Sequence, residues 1–105
     1  MVLSDEQVRE RDGNRCARCG KTGSLHVHHR WMRSAGDDET GCNRVTLCAW
    51  CHGWAHHNPS QAVDEGWLVS RYADPAQVQV RHVLWPTWPV LLEAEGGITP
   101  VIPDE

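Results

Sequence analysis

Four of the five cysteines form two pairs with the spacing of metal ligands. Cys16 and Cys19 make one CxxC motif, Cys48 and Cys51 make a second, and 28 residues lie between the two motifs. Two such turns can direct four thiolates to one ion at about 2.3 Å, in the tetrahedral geometry that Zn²⁺ accepts. The pattern predicts a structural zinc site, with a redox dithiol or two coincidental pairs as alternatives. Four cysteine ligands leave no open coordination position on the ion, so any catalytic site must lie elsewhere.

The histidines suggest a second site. His52 and His56 are four residues apart in a segment that is predicted to be helical, so they share a face and could bind a metal together with His28. Three imidazoles that leave positions open for water and phosphate would make a catalytic metal site. A metal-bound imidazole cannot accept a proton, so the adjacent His29 is free for different work. His26, on the same predicted strand face as His28, is assigned no ligand role and is either a hydrogen-bond donor to a ligand or simply exposed. For the whole run, histidines on a wet surface are the alternative.

Short elements must position these residues. Ser4 and Gln7 fit a capping box that starts a helix, and Gly13 fits the position just past its end. Ser60 and Gly66 are predicted to cap and stop another helix. The predicted elements are a helix over 5–12, a strand over 24–30, a loop over 33–43, a strand over 44–48, and helices over 51–57 and 60–66. Cys42 is predicted to be a small buried or loop residue.

The remaining segment is predicted to be a β-rich extension. We expect residues 1–66 to form a core and residues 67–105 to pack on it as one domain, because 105 residues suffice for only one. The sequence EGG is the best hairpin signal in this extension. Its large apolar side chains are Trp67, Trp85 and Trp88, which we expect to pack against the core.

The charges are unevenly distributed along the chain. Residues 9 to 33 include seven basic and two acidic residues, whereas the chain from residue 64 onward includes seven acidic and two basic residues. The basic segment can attract phosphates, and Arg30, Arg33 and Arg44 are candidate contacts. The alternative is that these arginines face solvent and pair with acidic groups of the loop. The acidic extension is a poor DNA surface, so we expect it to contact protein.

Neither a membrane span nor a secretory signal is apparent. No apolar run approaches the roughly 20 residues that cross a bilayer. The opening MVLSDEQVRE is acidic and polar where a secretory signal is basic and then apolar. We therefore expect a soluble, cytoplasmic protein whose thiols are reduced.

Taken in order, the motifs resemble the HNH endonucleases. The residues that carry the resemblance are Cys16xxCys19, His28-His29, Asn43, Cys48xxCys51-His52 and His56, with the lead-in RDGNRCARCG. The resemblance covers roughly residues 8–57. It implies an α+β fold with a treble-clef-like ββα-metal (His-Me finger) core, braced by the four-cysteine zinc site. The extension resembles that of small HNH proteins from actinobacterial phages.

The resemblance also implies a function. His28, His52 and His56 would hold a catalytic divalent ion (Mg²⁺, Mn²⁺, Ni²⁺ or Zn²⁺), His29 would be the general base, and Asn43 would hold the loop or orient the base. The expected reaction is hydrolysis of DNA phosphodiester bonds, leaving 5′-phosphate and 3′-hydroxyl ends. A phage terminase or another packaging protein is a candidate partner, in phage DNA packaging and in the host cytoplasm if the chain is phage-encoded. The rival interpretation is a zinc-stabilised nucleic-acid-binding module without catalysis, a degenerate HNH fold; a redox protein is a third class.

Overall fold

Three helices and two small antiparallel sheets make up the described part of the chain. The structure is a computed structural model that describes residues 2–32, 36 and 38–104. Its elements are α1 (Asp5–Arg11), β1 (Leu25–His29), β2 (Arg44–Cys48), α2 (Ala49–His57), α3 (Pro59–Glu65), a 3-10 turn (Pro75–Gln77), β3 (Val90–Leu92) and β4 (Ile98–Pro100). Strand β1 pairs with β2 and β3 pairs with β4. The α+β class is as predicted.

Helix α1 begins with the predicted capping box. The Ser4 hydroxyl accepts from the backbone N–H of Gln7 at 3.1 Å, and the Gln7 side chain accepts from the backbone N–H of Ser4 at 2.8 Å. These two bonds satisfy backbone donors that a helix start otherwise leaves unpaired. The helix ends at Arg11, and Gly13 follows with φ +78°. Its one buried side chain, Val8, faces the core.

A strand–strand–helix unit carries most of the predicted site residues. Leu25 pairs with Cys48 and His29 with Arg44, so β1 and β2 run antiparallel over their full length. All five residues of β2 are buried. Cys48 is both the last residue of β2 and the N-cap of α2, and its sulfur accepts from the N–H of Cys51 at 3.4 Å. The chain therefore turns from strand into helix at a cysteine, which fixes where α2 starts.

Helix α3 ends as predicted but starts differently. It begins at Pro59, directly after Asn58, and no side chain caps it, so the prediction of a Ser60 cap is wrong. Proline is favoured in a first helical turn because its missing N–H is not needed there. Gly66 ends the helix with φ +90°, and a Cβ at this position would overlap the carbonyl oxygen of Gln79. Only glycine satisfies both constraints.

The extension packs on the core through fewer tryptophans than expected. Trp67 is fully buried, whereas Trp85 and Trp88 remain 40% and 38% exposed, so the prediction is wrong for those two. Both lie in the segment WPTWP, and the extension is anchored instead by Val90 and Leu92, which are buried. The predicted EGG hairpin forms, because β3 pairs antiparallel with β4 across that turn.

No helix in the described part of the chain combines the length and apolar character needed to cross a membrane.

Candidate metal centres

The four paired cysteines converge on one point. Cys16 and Cys19 lie in the turn after α1, Cys48 ends β2, and Cys51 lies in the first turn of α2. Their four sulfurs lie within 4.8 Å of one another, and those of Cys19 and Cys48 are 3.8 Å apart. A tetrahedral zinc with bonds of about 2.3 Å places its sulfurs about 3.8 Å apart. The four cysteines could therefore hold a metal ion such as zinc.

The charges of this cluster also favour a cation. Burial raises the pKa of Cys48, but hydrogen bonds from the Cys51 backbone and from neighbouring thiols outweigh it and lower the pKa to about 7. Burial raises the pKa of Cys51 far above its usual range, although Arg18 donates to that sulfur at 3.5 Å. The thiolate form of Cys48 is thus favoured, whereas that of Cys51 is disfavoured. Four thiolates can coexist here only if a dication compensates them.

Three histidines converge at a second point. His28 comes from β1, and His52 and His56 come from successive turns of α2. Their nitrogens lie within 4.8 Å of one another, and the ring centroids of His52 and His56 are 5.0 Å apart. All three line one open cavity, together with His29 and Met32. The structure therefore brings together the three predicted ligands and leaves solvent access beside them.

Hydrogen bonds select the nitrogen of His28 that is available to a metal. Its Nε2 lies 2.7 Å from the carbonyl oxygen of Trp67, which can only accept, so Nε2 carries the hydrogen. The lone pair is left on Nδ1. Burial lowers the pKa of His28 to about 4, against the opposing effect of the Trp67 hydrogen bond. The ring is therefore neutral near pH 7, as a metal ligand must be.

His52 is oriented by His26. The Nδ1 atoms of these two rings are 2.8 Å apart, so one ring donates to the other. If His52 donates, its Nε2 is free to bind a metal. Burial lowers the pKa of His52, with further contributions from His56 and His26. His26, to which the sequence assigned no ligand role, therefore contacts a predicted ligand directly.

His29 is held apart from the three converging histidines. Its Nε2 lies 2.9 Å from Glu39 Oε1, and its side chain is 22% exposed. Asn43 is buried and connects two chain segments: Oδ1 accepts from Trp31 N–H at 2.7 Å, and Nδ2 donates to the Asp38 carbonyl at 2.8 Å. Of the two roles expected for Asn43, the structure provides the contacts for holding the loop.

Two of the three predicted phosphate contacts are wrong. The guanidinium of Arg30 is fully buried. It donates to the backbone carbonyls of Cys42, Gly66, Pro75 and Val78, at 2.7 to 3.1 Å. Arg44 is 2% exposed and pairs with Asp5 at 2.9 Å. Neither group can reach a phosphate, because each is enclosed by the chain's own acceptors. Arg33 lies outside the described residues.

Sequence reasoning missed two acidic residues. Glu39 was considered only as a surface ion-pair partner for arginine, yet it contacts His29. Asp12 is fully buried and accepts from Arg11, from His82 at 2.8 Å and from the backbone N–H of Thr46 at 2.8 Å. Contacts between residues so far apart in the chain produce no local pattern, so no sequence signal could have found them. Cys42 is buried, as predicted.

The described residues form a small α+β protein in which a β1–β2–α2 unit carries a four-cysteine cluster and a separate three-histidine cluster. Comparison of the chain with models of known protein families, with curated proteins and with solved structures gives no match. Function is therefore inferred from the geometry of the two clusters.

Proposed function

We propose that this protein is a metal-dependent HNH-type endonuclease that hydrolyses DNA phosphodiester bonds. The observation that carries the proposal is the arrangement of one cavity. Three imidazoles converge there, and a fourth, His29, lines the same cavity while bonded to a carboxylate instead. A metal site with room for substrate, beside an independent proton acceptor, is what hydrolysis of a phosphodiester needs.

The proposed ligands are His28, His52 and His56. Imidazole donors suit Zn²⁺ and Ni²⁺, whereas Mn²⁺ and Mg²⁺ prefer oxygen ligands and would depend on water and phosphate oxygens to complete the shell. When bound, the ion would stabilise the charge that develops on the phosphate and on the 3′ leaving oxygen. The four cysteines have a different task, which is to brace α2 against the turn that follows α1.

His29 is the proposed general base. It would take a proton from the attacking water through Nδ1, since Nε2 is occupied by Glu39. The resulting hydroxide attacks phosphorus in line as the bond from phosphorus to the 3′ oxygen breaks. The departing 3′ oxygen takes a proton from solvent, which leaves 5′-phosphate and 3′-hydroxyl ends. Asn43 is proposed to act indirectly, by fixing the loop that carries Glu39. Phosphate contacts must come from groups other than Arg30 and Arg44, which are buried.

The test is cleavage of supercoiled plasmid by the purified chain with Mg²⁺, Mn²⁺, Ni²⁺ or Zn²⁺. His29→Ala should lower the cleavage rate by about 10²- to 10⁴-fold, the usual contribution of general-base catalysis. His57→Ala is the matched control, because His57 lies on the same α2 but its Nδ1 bonds to the Gly53 carbonyl, at 2.9 Å. Zinc content and circular dichroism should be unchanged in both variants.

Two results would contradict the proposal. Cleavage by His29→Ala at the wild-type rate would show that His29 is not the base. Inactivity of a folded, zinc-containing wild-type chain with all four metals would favour a nucleic-acid-binding module without catalysis.

A further inference from the structure

We infer that Glu39 is a positioning residue for His29: its carboxylate fixes which ring nitrogen carries the hydrogen, and Arg44 fixes the carboxylate. The inference deepens the proposed function and rests on it. It assigns a role to a loop residue that lies ten positions beyond the histidine in sequence, and it gives the buried Arg44 a purpose other than phosphate binding.

A hydrogen bond joins His29 to Glu39. An ionised carboxylate can only accept a hydrogen bond, so Nε2 of His29 must donate across the 2.9 Å contact to Oε1. A neutral imidazole has one hydrogen, which leaves the lone pair on Nδ1. The opposite tautomer would direct an N–H at the attacking water and could not accept its proton. Glu39 therefore selects the tautomer that can act as a base.

Arg44 attaches Glu39 to the core. Arg44 donates to the Glu39 backbone carbonyl at 2.7 Å, and its Nε lies 3.7 Å from Glu39 Oε2. Arg44 is itself fixed, because it is buried and paired with Asp5 at 2.9 Å. It also donates to the Leu3 carbonyl. A residue in a polar loop is thus hydrogen-bonded through its backbone to a buried cation, and its carboxylate lies within ion-pair distance of the same cation.

The position of Arg44 in the sheet is tied to that of His29. Arg44 is the register partner of His29 across β1 and β2. The same strand pairing that places His29 at the end of β1 therefore places Arg44 opposite it. Asn43 Nδ2 donates to the carbonyl of Asp38, the residue before Glu39, at 2.8 Å. The loop is consequently fixed on both sides of the carboxylate, although the Glu39 side chain is 39% exposed.

The chemical consequence follows from the charge that the base acquires. When His29 takes a proton at Nδ1, the ring becomes an imidazolium, and the Glu39 carboxylate lies at hydrogen-bond distance from its other N–H. A carboxylate placed in this way orients the ring before transfer and stabilises it afterwards. Without Glu39, a side chain that is partly exposed would sample both tautomers and other rotamers.

The experiment compares Glu39→Ala and Glu39→Gln with Glu95→Ala, a control that removes an exposed carboxylate from the β3–β4 turn. Long-range ¹H–¹⁵N correlation spectra of the zinc-containing chain report the His29 tautomer without any need for activity. We expect the Nε2–H tautomer in the wild type and in Glu95→Ala, and a mixture in Glu39→Ala. Glu39→Gln keeps an acceptor oxygen within reach and should recover part of the tautomer preference.

Plasmid cleavage supplies the second readout. Glu39→Ala should lower kcat by about 10- to 100-fold, a part of the general-base contribution, with KM unchanged. Glu39→Gln should lie between Glu39→Ala and the wild type. A wild-type His29 that carries its hydrogen on Nδ1, or a Glu39→Ala chain with unchanged tautomer and kcat, would overturn the inference. If the wild type cleaves nothing, the proposed function fails, whereas the spectra still decide what Glu39 does to His29.

Discussion

His56 and His57 are adjacent residues with different surroundings. Both are exposed, but His56 lies with His28 and His52 at the convergence point, whereas His57 is bonded to the Gly53 carbonyl of its own helix. Adjacent positions on a helix are about 100° apart, so only one of them can face β1. Comparing the two residues therefore tests whether metal binding depends on His56 in particular or on any histidine near the end of α2.

This difference predicts the metal affinities of two variants. Titrating Ni²⁺ into the zinc-containing chain by calorimetry should show that His56→Ala binds at least about tenfold more weakly, since losing a ligand costs no less than losing an outer partner. His57→Ala should bind like the wild type. Equal affinities in the two variants would mean that His56 is not a ligand.

His26 offers a second prediction for single residues. Metal-binding histidines usually donate their other ring N–H to a partner, and His26 can accept that hydrogen bond, since its Nδ1 lies 2.8 Å from Nδ1 of His52. His26→Ala should lower Ni²⁺ affinity by about 10- to 100-fold, the usual cost of losing such a partner. Unfolding by urea should be little changed, because the His26 side chain is exposed. An unchanged titration would return His26 to the status of a bystander.

The sequence predicted the histidines better than the arginines for a physical reason. The i, i+4 spacing of His52 and His56 determines that they share a helical face, whatever surrounds that helix. Whether Arg30 or Arg44 faces solvent depends on carbonyl groups elsewhere in the chain, such as Gly66, which lies 36 residues from Arg30. Spacing cannot reveal that dependence, and the two arginines were misassigned for this reason.

At the level of elements, the helix ends that depend on local chemistry could be predicted from the sequence. The Ser4 capping box and the glycine that stops α3 use contacts within a few residues or a backbone angle that glycine favours. The start of α3 was not predictable in the same way, because Pro59 follows Asn58 directly and no side-chain bond is formed. Helix α2 starts at Ala49, two residues before the predicted start, because Cys48 caps it.

Arg30 connects four of these elements, and this leads to a prediction of stability. It follows β1 and donates to carbonyls before β2, after α3 and around the 3-10 turn. Burial lowers its pKa to about 10, so it stays charged at pH 7. Arg30→Met should lower the free energy of unfolding by at least about 3 kcal/mol, because several buried carbonyls lose their donor.

The control for this change is Arg71→Met, which alters an exposed side chain and should shift the free energy by no more than about 0.5 kcal/mol. Urea unfolding of the zinc-containing chains measures both values. Similar midpoints for Arg30→Met and the wild type would show that water replaces the guanidinium without cost.

At the level of the whole molecule, buried charge joins the extension to the core. Asp12 lies just after α1 and accepts from the N–H of Thr46 in β2 and from His82 in the extension. Burial raises the Asp12 pKa, but the hydrogen bonds and charges of His82 and Arg11 outweigh it, so the pKa is lowered. The stabilisation from this carboxylate is therefore present above its ordinary pKa of 3.8 and is lost as the pH falls through the lowered value.

The four-cysteine cluster joins the turn after α1 to β2 and α2. A chain of this size buries a modest core, and structural zinc adds its binding free energy directly to folding. Cys51→Ser should therefore lose both zinc and helical circular dichroism. Cys42→Ser is the matched control, because Cys42 is buried in the core but outside the cluster. Among the described residues its sulfur forms one hydrogen bond, with Thr40 Oγ1 at 3.1 Å. This variant should keep one zinc per chain and most of its secondary structure. A Cys51→Ser protein that is free of metal yet fully folded would show that the core suffices without the ion, and the division between a structural and a catalytic cluster would then lose its basis.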